Sequence, residues 1–127
     1  MSSVLDKQLV ELRERFGEVE ICTLPSGTTL VIVADVRLPP GWNTTSTAIH
    51  FVLQPGYPFA QPDCFWADAE LRLEGGGVPQ NATENTIPED GRAGLWFSWH
   101  LVAPWNANRD TLSTWMNVVQ ERMRQVR

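Results

Sequence analysis

An α+β fold is the architecture this sequence predicts, and three features predict it. Apolar residues recur at helical spacing near both ends of the chain, and between them the spacing falls to two. Clusters of proline and glycine punctuate the middle into short strands. Strands in series after one helix, closed by a second helix, read as a four-stranded antiparallel meander backed by helices. At 127 residues and 43% hydrophobic the chain is long enough for a single domain, 1–127, with a core of its own.

Leu5, Leu9, Leu12 and Phe16 set out one apolar face, with Asp6, Lys7, Glu11, Arg13, Glu14 and Arg15 between them. This spacing predicts an amphipathic first helix, capped at Ser2 or Ser3 and stopped at Gly17. From Val19 the period is two: Val19, Ile21 and Thr23 alternate with Glu18, Glu20 and Cys22. Pro25-Ser26-Gly27 turns the chain, and the β-branched run 28–36 completes a hairpin. After Pro39-Pro40-Gly41 a third strand is expected over 44–53, with His50 inside it as a structural histidine. Pro55-Gly56-Tyr57-Pro58-Phe59-Ala60-Gln61-Pro62 forms a rigid extended turn, because each proline fixes its own φ and restricts the residue before it. A short fourth strand over 63–66 follows. Residues 67–93 show little periodicity and read as one long irregular segment, the kind that in a small domain is functional or mobile. In the last helix Leu112, Trp115, Met116, Val119 and Met123 form the buried stripe. Asp110 is its expected N-cap, and Arg122, Arg124 and Arg127 sit toward its C-terminal dipole.

Composition excludes several functions. The net charge of −5 argues against a nucleic-acid-binding surface. No apolar run approaches the roughly 20 residues that span a bilayer, and the charged, periodic N-terminus does not read as a signal peptide. A cytoplasmic protein with no membrane attachment is the expectation. Cys22 and Cys64 fit no metal-ligand spacing, so both are expected as reduced, buried small hydrophobes, with no metal and no cofactor.

The stretch Gly94-Leu95-Trp96-Phe97-Ser98-Trp99-His100-Leu101, running on to Pro104-Trp105, concentrates chemistry. It holds three of six tryptophans and one of two histidines. On an extended backbone, side chains at i and i+2 leave on the same face, so Ser98 and His100 are expected side by side. A serine hydroxyl becomes a nucleophile when a neighbouring base takes its proton, and imidazole suits that task near neutrality.

The order helix, four strands and a Tyr57-Pro58-Phe59-Ala60-Gln61-Pro62 turn resembles the ubiquitin-conjugating (UBC) fold, with Gln61 where a proline is usual. Trp96-Phe97-Ser98-Trp99-His100 and Trp105-Asn106-Ala107-Asn108-Arg109-Asp110 bring it closer to a bacterial branch, the prokaryotic UBC-like proteins of family E. The resemblance implies a truncated UBC-like fold with an active-site crossing before Ser98, and places Cys64 on a buried aliphatic position of the fourth strand. It also implies partners: a ThiF-like adenylating enzyme that activates, a ubiquitin-like or multi-ubiquitin-like protein, and a JAB-type metallopeptidase, in a setting of antiphage defence. Ser98, seven residues before Trp105, falls near the family's conjugating cysteine.

The chain departs from the wider pattern in three ways. No cysteine occupies the conjugating position, Pro79-Gln80-Asn81 keeps only the proline and asparagine of a His-Pro-Asn element and lies much further upstream, and one helix follows the active region where three are usual. Serine chemistry is what remains. Ser98 would carry the acyl group as an oxyester and His100 would be its base. Asn81, Asn85 or backbone N–H groups of the Ser98 segment are the candidates to stabilise the oxyanion, with Trp105 packed beside the site. Two other classes compete: a non-catalytic UBC-like binding module, and an unrelated serine hydrolase, for which the sequence offers His100 no acidic partner.

Overall fold

The computed structural model describes residues 3–88 and 91–127. Along the chain run α1 (Ser3–Phe16), β1 (Val19–Thr23), β2 (Thr29–Arg37), β3 (Ser46–Leu53), β4 (Phe65–Ala67), β5 (Ala82–Thr86), β6 (Ala93–Phe97) and α2 (Leu112–Arg124). The first four strands form the expected antiparallel meander. The sheet then continues past it in the order β1-β2-β3-β4-β6-β5, with all pairings antiparallel. Part of the segment expected to be irregular is therefore ordered. β5 escapes a period-two reading because it is an edge strand whose residues from Thr83 to Thr86 are all exposed.

Side-chain parity sorts the sheet into two faces. Val31, Val33, Ile49, Phe51, Phe65, Leu95 and Phe97 join Leu9 and Leu12 of α1 and the Leu112, Trp115, Met116, Val119 and Met123 stripe of α2 in the main core. Leu30 and Trp66 point the other way and make a smaller cluster with Leu24 and Ile87, against which Trp96 packs. His50 is buried on β3, where its register partners are Ile32 and Trp66. Among the described residues no helix is long and apolar enough to cross a membrane.

Polar bonds lock the helices to the turns. Gln8 of α1 is nearly buried, and its Oε1 accepts from the Leu112 N–H at 3.0 Å and from the Tyr57 hydroxyl. Burial pushes the Tyr57 hydroxyl far above its ordinary range, with the Gln8 bond opposing. Thr111 caps α2 in place of Asp110: its hydroxyl accepts from the Thr114 N–H, and the Thr114 hydroxyl accepts from the Thr111 N–H at 3.0 Å. Asp110 stands one residue too early, and accepts instead from the Asn106 N–H at 2.7 Å. Of the caps expected for α1, Ser2 lies outside the described residues and Ser3 is already helical.

Arg122 turns inward instead of facing solvent at the helix end. It is buried and donates to the carbonyls of Gln125, Gln80 and Arg127 at 2.7, 2.7 and 2.9 Å. Its guanidinium lies over the rings of Phe97 and Trp99, so α2 is fastened to the end of β6 and to the chain entering β5. On the far side of α2, Trp42 Nε1 donates to the Met123 carbonyl at 2.9 Å. The chain reaches that bond through Gly41, at φ +111°, where a Cβ would come within 2.6 Å of Val126 Cγ1.

Candidate functional site

β4 and β6 pair with Phe65 opposite Phe97, and those two rings stack at 4.8 Å. One step beyond this pair the two chains carry Cys64 and Ser98. On the other side of β6, Ala82 of β5 stands opposite Phe97, and the Ser98 N–H donates to the Asn81 carbonyl at 2.8 Å. Ser98 thus leaves the end of the middle strand of three, between the chain carrying Asn81 and the chain carrying Cys64. There the β4–β6 ladder stops. Cys64 takes φ +60°, a left-handed conformation uncommon for a residue with a Cβ, and its N–H donates to the Trp99 carbonyl at 3.0 Å.

That bond brings the proline-turn exit against the segment holding His100. His100 Nδ1 is hydrogen-bonded to Asp63 Oδ1, with both side chains more than half exposed. A carboxylate on Nδ1 fixes the ring's orientation and tautomer, and leaves Nε2 as the nitrogen that can take a proton. Asp63 is the acidic partner that the sequence did not supply. Its one local signal was its place beside Cys64 at the exit of the proline turn, 37 residues before His100.

Cys64 is not the buried strand residue expected. It precedes β4, is half-buried, and its Sγ lies within 4.8 Å of an Asp63 carboxylate oxygen and a His100 ring nitrogen. Burial pushes its thiol above the ordinary range; the Trp99 backbone bond opposes this and the Asp63 charge adds to it. Cys22 is exposed on β1.

Ser98, His100 and Asn81 line one open cavity of about 410 Å³, with Trp99, Leu101 and Val102 completing its wall. Among the described residues no hydrogen bond joins the Ser98 hydroxyl to His100, which lies beyond the end of β6 and outside its regular pleat. The other two support candidates lie elsewhere. Asn85 pairs with Gly94 further along β5, and its side chain accepts from the Thr86 N–H at 2.8 Å. Trp105 Nε1 donates to the Pro58 carbonyl at 2.7 Å, and its ring tilts against Tyr57 at 6.2 Å. It braces the start of the proline turn, whose Tyr57–Pro58 bond is cis.

His100, Ser98 and Asn81 therefore place an imidazole, a hydroxyl and an amide on one solvent-open cavity, with the Asp63 carboxylate bonded to the imidazole. Such a set can transfer a proton at a hydroxyl and take up an acyl group there. The family description "Prokaryotic E2 family E" matches residues 5–126 of the chain. No curated protein and no solved structure matches it.

Proposed function

Since this chain belongs to prokaryotic E2 family E, which sets it in a ubiquitin-like conjugation pathway, we propose that it is the carrier of that pathway, with Ser98 as the acyl acceptor. It takes the C-terminal carboxyl of a ubiquitin-like or multi-ubiquitin-like protein from an adenylating, ThiF-like activating enzyme and passes it to an amine. A JAB-type metallopeptidase would remove or process the modifier. The observation that carries this reading is the Asp63–His100 pair beside Ser98 at one cavity.

In the loading step the Ser98 hydroxyl oxygen attacks the carboxyl carbon of the modifier and its proton passes to His100 Nε2. The bond between that carbon and the activating enzyme's leaving group breaks, and the leaving group departs with the proton. Asp63 steadies the imidazolium that forms in between. In the second step the acceptor amine attacks the oxyester, His100 takes the amine proton, and Ser98 leaves with it. Proton transfer requires hydroxyl and imidazole within roughly 2.6–3.2 Å. Loading therefore requires the exposed Asp63–His100 pair to close on Ser98 as a unit when the modifier tail fills the cavity. The Asn81 side chain, on the strand end beside Ser98, is our choice of oxyanion donor over Asn85 and Trp105.

Loading is tested by mixing the chain with activating enzyme, ATP and modifier. The expected adduct resists thiol reductants and is cleaved by hydroxylamine, as an oxyester is. His100→Ala should slow its formation by about 10²–10⁴-fold, the usual worth of a general base. Binding of modifier without any adduct would leave a non-catalytic module of the same pathway. Turnover of small esters would mark a hydrolase, for which Asp63 completes the set of side chains.

A further inference from the structure

We propose that Asp63, Cys64 and His100 form a binding site for one borderline-soft divalent cation of the zinc class. The site uses Cys64, to which acyl loading assigns no role, and its existence does not depend on that reaction. Cys64 Sγ, a His100 ring nitrogen and an Asp63 carboxylate oxygen all lie within 4.8 Å of one another. Thiolate, imidazole and carboxylate are the three donor types zinc takes, at about 2.3, 2.0 and 2.1 Å, which places neighbouring donors roughly 3.3–3.7 Å apart in a tetrahedron. To meet that geometry the hydrogen-bonded Asp63 oxygen and His100 nitrogen must part slightly, while Cys64 Sγ already lies within 4.8 Å of both. The Asp63 and His100 side chains are 54% and 60% exposed, so their rotation is unobstructed.

The backbone is already set for the purpose. The Cys64 N–H bond to the Trp99 carbonyl joins the two segments that supply the donors, one residue away from His100. The left-handed backbone at Cys64, φ +60°, is uncommon for a residue with a Cβ and so carries a cost. The rest of the turn holds that cost in place, as is common where a side chain must be aimed. On binding, the Cys64 S–H proton is lost to solvent and a sulfur–metal bond forms. The Asp63–His100 hydrogen bond yields as both groups turn to the ion. Three protein donors leave the fourth position open to water.

His100 cannot serve as ligand and base at once. A bound cation should therefore suppress loading on Ser98; this consequence alone rests on the function proposed above.

The site is tested by titrating the reduced, full-length chain with Co²⁺ and reading its absorption. A one-to-one complex with thiolate-to-cobalt charge transfer in the near ultraviolet and tetrahedral d–d bands in the visible is expected, bleached by added Zn²⁺. Cys64→Ser should abolish the charge-transfer band and Cys22→Ser should leave it intact. His100→Ala and Asp63→Asn should each weaken binding by about tenfold or more. Circular dichroism on each variant separates loss of ligand from loss of fold. No thiolate band in the wild-type chain, or a band that survives Cys64→Ser, overturns the proposal. If cobalt binds as expected and Zn²⁺ leaves loading unchanged, the metal site stands and His100 is not the base.

Discussion

At the scale of single residues, two side chains do work that their place in the sequence conceals. Arg122 has the position of a solvent-facing helix-end cation, yet its guanidinium satisfies three carbonyls and covers two rings. We expect Arg122→Met to lower stability by about 2–4 kcal/mol, since buried acceptors lose their donor; urea unfolding measures it. Asp110 looks like a cap and is a loop clamp. The Asn106 N–H, and after it Arg109, hold its carboxyl below the ordinary carboxylate range. A lowered folded-state pKa means its contribution is complete above the unfolded value, about 3.9, and is lost as pH falls through the folded one. Asp110→Ala should therefore be less stable than the wild type at neutral pH, and the gap should close below that value; unfolding followed from pH 7 to pH 2 checks this.

At the scale of elements, the helices follow from apolar spacing because each has one buried stripe, and β2 and β3 follow from runs of β-branched and apolar residues that feed a core on either face. β5 has no buried face to declare itself, and β4 is cut to three residues because Cys64 leaves the extended region. The cap of α2 was displaced by one position for a similar reason: Thr111 and Thr114 share a reciprocal pair of bonds that residue preference alone does not reveal. Thr111→Ala should cost about 1 kcal/mol, measured as a shift in the denaturant midpoint. The loop after β2 is pinned at Gly41 and Trp42 against the end of α2 and Val126. Gly41→Ala should cost about 1–3 kcal/mol, from a left-handed backbone and overlap with Val126. Retention of full stability in Gly41→Ala would show that the Val126 contact gives way freely.

At the scale of the whole molecule, the sheet delivers the ends of β4, β6 and β5 to one edge, and the proline turn leads into the first of them. Ser98 and His100 were visible in the sequence because they lie two residues apart. Asp63 and Asn81 were harder to place because they lie 35 and 17 residues before Ser98, and only the β4–β6–β5 order brings them to it. In the sequence Asn81 is one of several equal candidates, and nothing near Asp63 marks it as the partner of His100. Cys64 was misplaced for the same reason, since its surroundings come from the His100 segment and not from its own strand.

The central claim is that Ser98 carries the acyl group. Ser98→Ala removes one hydroxyl from a strand end and keeps the Ser98 backbone bond to Asn81, so the domain should fold as the wild type does. The deciding measurement is loading of wild-type and Ser98→Ala chains with activating enzyme, ATP and modifier, with the adduct mapped by mass spectrometry. The expected result is a modifier ester on Ser98 in the wild type and no adduct in the variant. A folded Ser98→Ala chain that still loads would contradict it.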